Sequence, residues 1–242
     1  MTGGSGGLGR EVMRALADLG RPALAASRRT GFDLATGAGL GHVLAHAEVV
    51  IHAATHPLRP RTVDLDGTRR MIKVLQREGP PPHLVYVSIV GCDRNPYPYY
   101  RAKHACEVAL QRSGLPVTVV RATQFHSLVE AIARGATLGP IALAPKLTFQ
   151  SCDPAWVAGR LVEVALGRPP VGFLRGDDLA GPEQVTLGEA ITKIESAAGR
   201  PSPKLLTLPA IGGTLRAFAA GSNLPDGAAQ TGGVCFSQWL GR

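Results

Sequence analysis

The sequence predicts an α/β chain, with a doubly wound parallel sheet whose first strand is truncated over residues 1–125. A smaller C-terminal lobe, residues 126–242, packs on the sheet within one overall domain. Three observations carry this reading. Short apolar runs at residues 23–26, 49–54, 84–90 and 117–120 alternate with stretches whose apolar residues recur at helical spacing. That alternation builds a parallel sheet with helices on both faces. A glycine-rich turn, residues 2–9, runs straight into the first helical stripe. The composition, 45% hydrophobic and 18% charged over 242 residues, is that of a folded chain long enough for one good core.

The same numbers exclude several classes. Aromatics are only 5%, so the core must be aliphatic. The net charge of +8 comes from arginines spread along the chain, without a basic block or interleaved aromatics, so nucleic acid is not the expected partner. No apolar run approaches the roughly 20 residues of a membrane span. No basic stretch followed by an apolar block marks a leader. Cys92, Cys106, Cys152 and Cys235 form no C-x-x-C pair and read as reduced thiols of a cytoplasmic protein. The histidines show no ligand spacing, so no metal site is expected.

Taken in order, Gly3, Gly6 and Gly9 have G-x-x-G-x-x-G spacing. Val12, Met13, Leu16 and Leu19 then form one helical stripe, stopped by Gly20 and Pro22. A glycine turn entering a helix suits a phosphate: the backbone can approach closely, and the helix end offers unpaired N–H groups. Such a turn should follow a buried strand. Only Met1 and Thr2 precede it here, so the first strand is nearly absent and an apolar extension ahead of Thr2 is expected. Residues 23–26 read as a buried strand ending in Ser27-Arg28-Arg29. At that position an acid would meet the ribose 2′-OH of NAD, whereas arginine suits the 2′-phosphate of NADP. A third strand after Gly31 appears deleted, and residues 37–46 have helical spacing. Residues 49–54 form a buried strand whose end, with Thr55, should lie under a cofactor. A helix is predicted over 63–78, a strong strand over 84–90, a helix over 99–113 and a strand over 117–120. Beyond Arg121 the rhythm loosens. A short helix is expected over 127–134, a loop over 135–145 and a helix from Asp153-Pro154 to Leu166. Thr186 and Glu189 form a capping box that opens a helix ending at Gly199, and residues 204–208 could form a strand.

The chemistry lies in Tyr99-Tyr100-Arg101-Ala102-Lys103, after a strand that carries Ser88 near its end. Tyr99 and Lys103 are i and i+4 and share a helix face; Tyr100, at i+3 from the same lysine, is the alternative. With a reference pKa near 10, tyrosine is a usable acid at neutral pH, and a neighbouring ammonium eases its proton loss. A serine hydroxyl can hold a carbonyl oxygen while a proton is delivered and a hydride arrives from a nicotinamide.

Together these pieces resemble the short-chain dehydrogenase/reductase superfamily, closest to its atypical or extended, NmrA-like members. The matching stretches are TGGSGGLG from Thr2, SRR from Ser27, VVIHAAT from Val49, DLDGTRR from Asp64, YVSIVG from Tyr86, YYRAK from Tyr99 and VVRATQF from Val119. The resemblance implies a Rossmann-type sheet and a catalytic triad of Ser88, Tyr99 and Lys103. It implies that Thr2, Gly3, Gly6, Leu8, Gly9, Ser27, Arg28, Arg29, Asp33, Leu34, Ala53, Ala54 and Thr55 line NADP, with NAD the lesser fit. Thr123, Gln124 and Phe125 would border a small-molecule substrate. The activity implied is NADPH-dependent reduction of a small carbonyl, quinone or similar electrophile. Two rivals remain at this level: a catalytically silent NADP(H)-sensing protein, and an epimerase or dehydratase acting on a nucleotide-linked sugar.

Overall fold

The computed structural model describes residues 1–77 and 79–241. Glu78, the expected end of one helix, and Arg242 lie outside the described residues. In chain order come α1 (Gly7–Asp18), α2 (Leu40–Leu44), β1 (Val49–His52), a π-helical turn (Arg61–Leu65), α3 (Asp66–Leu75), β2 (His83–Ile89), α4 (Pro98–Gln111) and β3 (Val117–Ala122). There follow α5 (His126–Ala136), β4 (Thr137–Leu138), β5 (Ile141–Leu143), β6 (Thr148–Phe149), α6 (Pro154–Leu166), β7 (Phe173–Ala180), β8 (Val185–Thr186) and α7 (Leu187–Ala197). The last elements are β9 (Lys204–Leu206), α8 (Gly212–Ala219), β10 (Ala229–Thr231) and α9 (Phe236–Leu240). The main sheet has the order β1-β2-β3-β7-β10. β1 and β2 run parallel with Val49 opposite His83 and His52 opposite Tyr86, and β7 and β10 also run parallel. Among the described residues no helix is long and apolar enough to cross a membrane.

The chain divides into two compact units. The first comprises residues 1–88, 97–121 and 157–177; the second comprises 89–96, 122–156 and 178 onward. In the first unit Thr2 occupies the position expected for the first strand. Thr2 forms parallel bridges to both Ala26 and His52. Its N–H donates to Ile51 O at 2.9 Å, its carbonyl accepts from Ala53, and Ala26 N–H donates to Met1 O. The backbone on both sides is thus paired where the turn begins. The expected strand at 23–26 shrinks to its last residue: Ala26 bridges Thr2 and is buried, but Leu24 is 57% exposed. Residues 31–39 contain no strand, in line with the deletion read from the sequence.

The core of this unit is mostly aliphatic, with Phe32 and Tyr86 as its buried aromatic members. Leu34, Leu40, Val50, Met71, Leu75, Leu84, Leu110 and Val119 pack in one cluster. Full burial of each such side chain is worth about 1.5–3 kcal/mol. Val12 and Leu16 of α1 are buried, whereas Leu19 falls past the helix end and is exposed. Glycine at 67 lets α3 approach Leu34, whose Cβ would sit 2.8 Å from an added methyl.

In the second unit Val129, Ala133, Leu187, Ile191, Ile194 and Phe236 form a separate core. The capping box forms as read: Thr186 Oγ1 accepts from Glu189 N–H, and Thr186 N–H donates to the Glu189 carboxylate at 2.7 Å. Residues 135–145 are not a loop. They contain β4 and β5, which pair antiparallel around Gly139-Pro140, and β5 takes β9 as a parallel neighbour. The partner that makes this stretch a strand lies far along the chain, so local composition showed only the turn.

His52 ties the single-residue strand to α3. Its Nδ1 lies 2.6 Å from Thr2 Oγ1 and its Nε2 3.1 Å from Thr68 Oγ1. Burial, aided by the Lys103 charge, pushes its pKa down to about 3 from 6.5. Below pH 6.5 the unfolded chain therefore takes up a proton that the folded chain refuses, and stability falls with acidification until about pH 3. The expected slope from this group approaches about 1.4 kcal/mol per pH unit. Urea denaturation of the parent and of His52→Asn across this range should show the slope in the parent and its reduction in the variant. Equal slopes would contradict the assignment.

Candidate active site

The glycine turn is built by backbone contact. Gly3 adopts φ +73°, and its N–H donates to Ala26 O at 2.9 Å. A Cβ at Gly3 would meet the Ala54 backbone at 2.9 Å, and one at Gly9 would meet Gly3 O at 2.1 Å. Gly6 N–H donates to Gly3 O at 2.9 Å, which closes the turn. Gly6 caps α1 without a side-chain bond, the first turn of α1 carries no acid, and Ser5, Gly6 and Gly7 are exposed. The positive end of the helix therefore stays open to an anion, which fits a pyrophosphate. Leu8 is half-buried behind the turn.

The neighbouring positions converge on the same strand ends. Ala53 N–H donates to Thr2 O at 3.3 Å, and Ala54 N–H reaches Thr2 Oγ1 at 3.4 Å. Ser27 caps a short 3₁₀ turn, Arg28–Thr30, through a reciprocal bond pattern with Thr30. Arg28 and Arg29 are exposed on that turn, directly after the Ala26 bridge. Asp33 is occupied locally: its Oδ1 accepts from Ala35 N–H at 2.8 Å. Leu34 is a core residue whose carbonyl accepts from Arg70 at 3.1 Å.

Tyr99 stands in the first turn of α4, started by Pro98 at its first position. Its hydroxyl lies 2.9 Å from Thr55 Oγ1, just past the end of β1. Thr55 donates to Asp64 Oδ1 at 2.5 Å, and His56 N–H donates to Asp64 Oδ2 at 3.1 Å. Lys103 Nζ is 4.0 Å from Asp64 Oδ1, donates to Val87 O at 2.7 Å and sits 4.4 Å from the Tyr86 ring centroid. Asp64 and Lys103 are both buried. Ser88 is the buried neighbour of Val87 near the end of β2. Burial pushes the Tyr99 pKa up, and Lys103 and Thr55 oppose the rise without cancelling it. The sequence argument expected the lysine to dominate; desolvation outweighs it. Tyr100 is more deeply buried than Tyr99, its ring 6.5 Å from the Tyr99 ring.

The structure thus brings Thr55, Tyr99 and Lys103 together through a residue that sequence reasoning did not single out. Asp64 fell within the helix predicted over 63–78 and opened the matching stretch DLDGTRR, with no site role assigned to it. The π-helical turn instead places it under the strand ends. Thr123, Gln124 and Phe125 belong to the second unit. Thr123 Oγ1 donates to Gln150 O at 2.6 Å, Gln124 accepts from Asn223 at 3.1 Å, and Phe125 precedes α5.

Residues 22–130 match the NAD(P)H-binding family. A (4-alkanoyl-5-oxo-2,5-dihydrofuran-3-yl)methyl phosphate reductase of Streptomyces griseus is 28% identical, over 83% of this chain and 74% of that protein. The NADPH-dependent quinone oxidoreductase of Escherichia coli, complexed with NADPH, superposes with a TM-score of 0.72 at 17% identity, covering 93% of this chain and 90% of that one. A UDP-glucose-4-epimerase from Stenotrophomonas maltophila with bound NAD gives 0.69 at 16% identity, covering 88% and 86%. The match over residues 22–130 makes that part of the chain similar to NAD(P)H-binding proteins, and the superpositions give its parallel sheet a Rossmann-like fold.

Proposed function

We propose that the chain is an NADPH-dependent oxidoreductase that reduces a small carbonyl, a quinone or a similar conjugated electrophile. The observation that carries this reading is the Tyr99 phenol, kept protonated by burial at the strand ends with Lys103 and Asp64 behind it. The names of two similar proteins agree with it: one is a reductase of an acylated furanone, the other a quinone oxidoreductase.

When bound, a nicotinamide supplies the hydride. The chain's own residues supply the rest. Leu8 and Gly9, in the first turn of α1, would hold the pyrophosphate by backbone N–H groups, with Gly3 and Gly6 shaping the turn and Thr2, Ala53, Ala54 and Thr55 alongside. Ser27, Arg28 and Arg29 would meet the adenosine ribose and its 2′-phosphate, with Asp33 and Leu34 bordering the adenine side. Ser88 would hold the substrate oxygen. Tyr99 would give that oxygen its proton as the carbonyl is reduced, leaving an alcohol and a phenolate. Lys103, fixed by Val87 O, would offset the phenolate charge. Thr123, Gln124 and Phe125 are proposed to border the substrate.

Replacing both Arg28 and Arg29 by alanine should weaken NADPH by about 10- to 150-fold, the worth of a charge-assisted hydrogen bond, and leave NADH nearly unchanged. Fluorescence titration with the two cofactors checks this, and a parent protein that binds both equally would refute it.

Tyr99→Phe should cut kcat by roughly 100- to 10,000-fold with NADPH affinity retained. Tyr100→Phe should do much less, and Lys103→Ala should damage both kcat and binding. The assay is NADPH oxidation with a panel of quinones, aldehydes and ketones. Full activity in Tyr99→Phe would remove the mechanism, and a loss only in Tyr100→Phe would move the role by one residue.

A further inference from the structure

The Thr55 hydroxyl has one proton and two candidate acceptors. It donates to Asp64 Oδ1 at 2.5 Å while lying 2.9 Å from the Tyr99 oxygen. A hydroxyl donates once, so in this arrangement Tyr99 must be the donor to Thr55. Asp64 cannot turn away, because its second oxygen accepts from His56 N–H and its side chain is fully enclosed. Thr55 itself is exposed, so its hydroxyl can rotate.

We propose that Thr55 and Asp64 set the proton of Tyr99. Thr55 points its hydrogen at Asp64 while Tyr99 is a phenol, and turns it to the Tyr99 oxygen once that oxygen has lost its own. This rests on the reading of Tyr99 as the proton donor and adds two positioning residues to it. In the resting state the carboxylate claims the Thr55 proton and disfavours a second negative charge nearby, so Tyr99 keeps its proton. When Tyr99 transfers that proton, a new O–H bond forms on the substrate and the Tyr99 O–H bond breaks. Thr55 then donates to the phenolate, and solvent reprotonates Tyr99 afterwards. No proton leaves Asp64.

The charged and titratable groups facing Tyr99 come from three elements. Lys103 and Cys106 lie on its own helix, Asp64 on the π-helical turn and Tyr86 on β2; only Lys103 and the Thr55 bond favour the phenolate. The two positioning residues therefore act in opposite directions. Asp64→Asn removes a repelling charge and should lower the pH at which the Tyr99 phenolate appears by about one unit. Thr55→Val removes a donor to the phenolate and should raise that pH, and Thr55→Ser should restore the parent value.

The test is a spectrophotometric titration of the full chain without cofactor, following near-ultraviolet phenolate absorbance. The signal of each variant is compared with that of its Tyr99→Phe counterpart, which isolates Tyr99 from the other three of the four tyrosines. Opposite shifts with rescue by serine support the pair. No shift in either variant, or shifts in one direction, would overturn it. If Asp64→Asn fails to fold, the exposed Thr55 decides alone: a valine variant titrating at the parent pH refutes the proposal. Because the titration needs no turnover, a parent that reduces nothing would count against the proposed reaction and leave this result standing.

Discussion

Thr2 hydrogen-bonds to both neighbours, Ala26 on one side and the Ile51–Ala53 segment on the other, and the first unit hangs on that double pairing. A parallel sheet needs each interior strand to satisfy the backbone of two others, and here a single residue does it at the position where the glycine turn begins. His52 adds a side-chain bond from the next strand to Thr2 and a second one onward to Thr68 of α3. The turn, the end of β1 and the base of α3 are therefore held in one register.

The candidate site follows from that register. Gly3 can cross over the Ala54 backbone only because it has no Cβ, which would lie 2.9 Å from it. The chain then continues through Ala54 and Thr55 into the segment that closes on Asp64. Thr55, Asp64 and Lys103 put opposite charges beneath one phenol, and burial decides the balance in favour of the protonated form. The Tyr99 phenol is thus surrounded by the Thr55 hydroxyl after β1 and the Asp64 carboxylate of the π-helical turn as well as by the lysine on its own helix.

Much of this was legible in the sequence where local pattern and tertiary role coincide. The glycine spacing, the apolar runs of β1 and β2, the Asp153-Pro154 start and the Thr186 capping box all signal themselves over a few residues. The remainder depends on partners distant in the chain. β7 reads FLRGDDLA, with no apolar alternation, and is a strand because it lies between β3 and β10. β4 and β5 looked like a loop because their strand character comes from β9. Asp64 received no site role from the sequence because nothing in its neighbours tells that a π-helical turn buries it. His52 sat unremarked inside an apolar run, and only its contacts with Thr2 and Thr68 show why a polar ring is there.

The central claim is that the turn fixed by Thr2 holds a nicotinamide dinucleotide with its reactive end beside Tyr99. A crystal structure of the chain grown with NADPH tests this most directly. The account predicts pyrophosphate density against the backbone N–H groups of the Gly3–Gly9 turn, the 2′-phosphate beside Arg28 and Arg29, and the nicotinamide next to Tyr99. Density for the dinucleotide elsewhere, or a nicotinamide turned away from Tyr99, would contradict it.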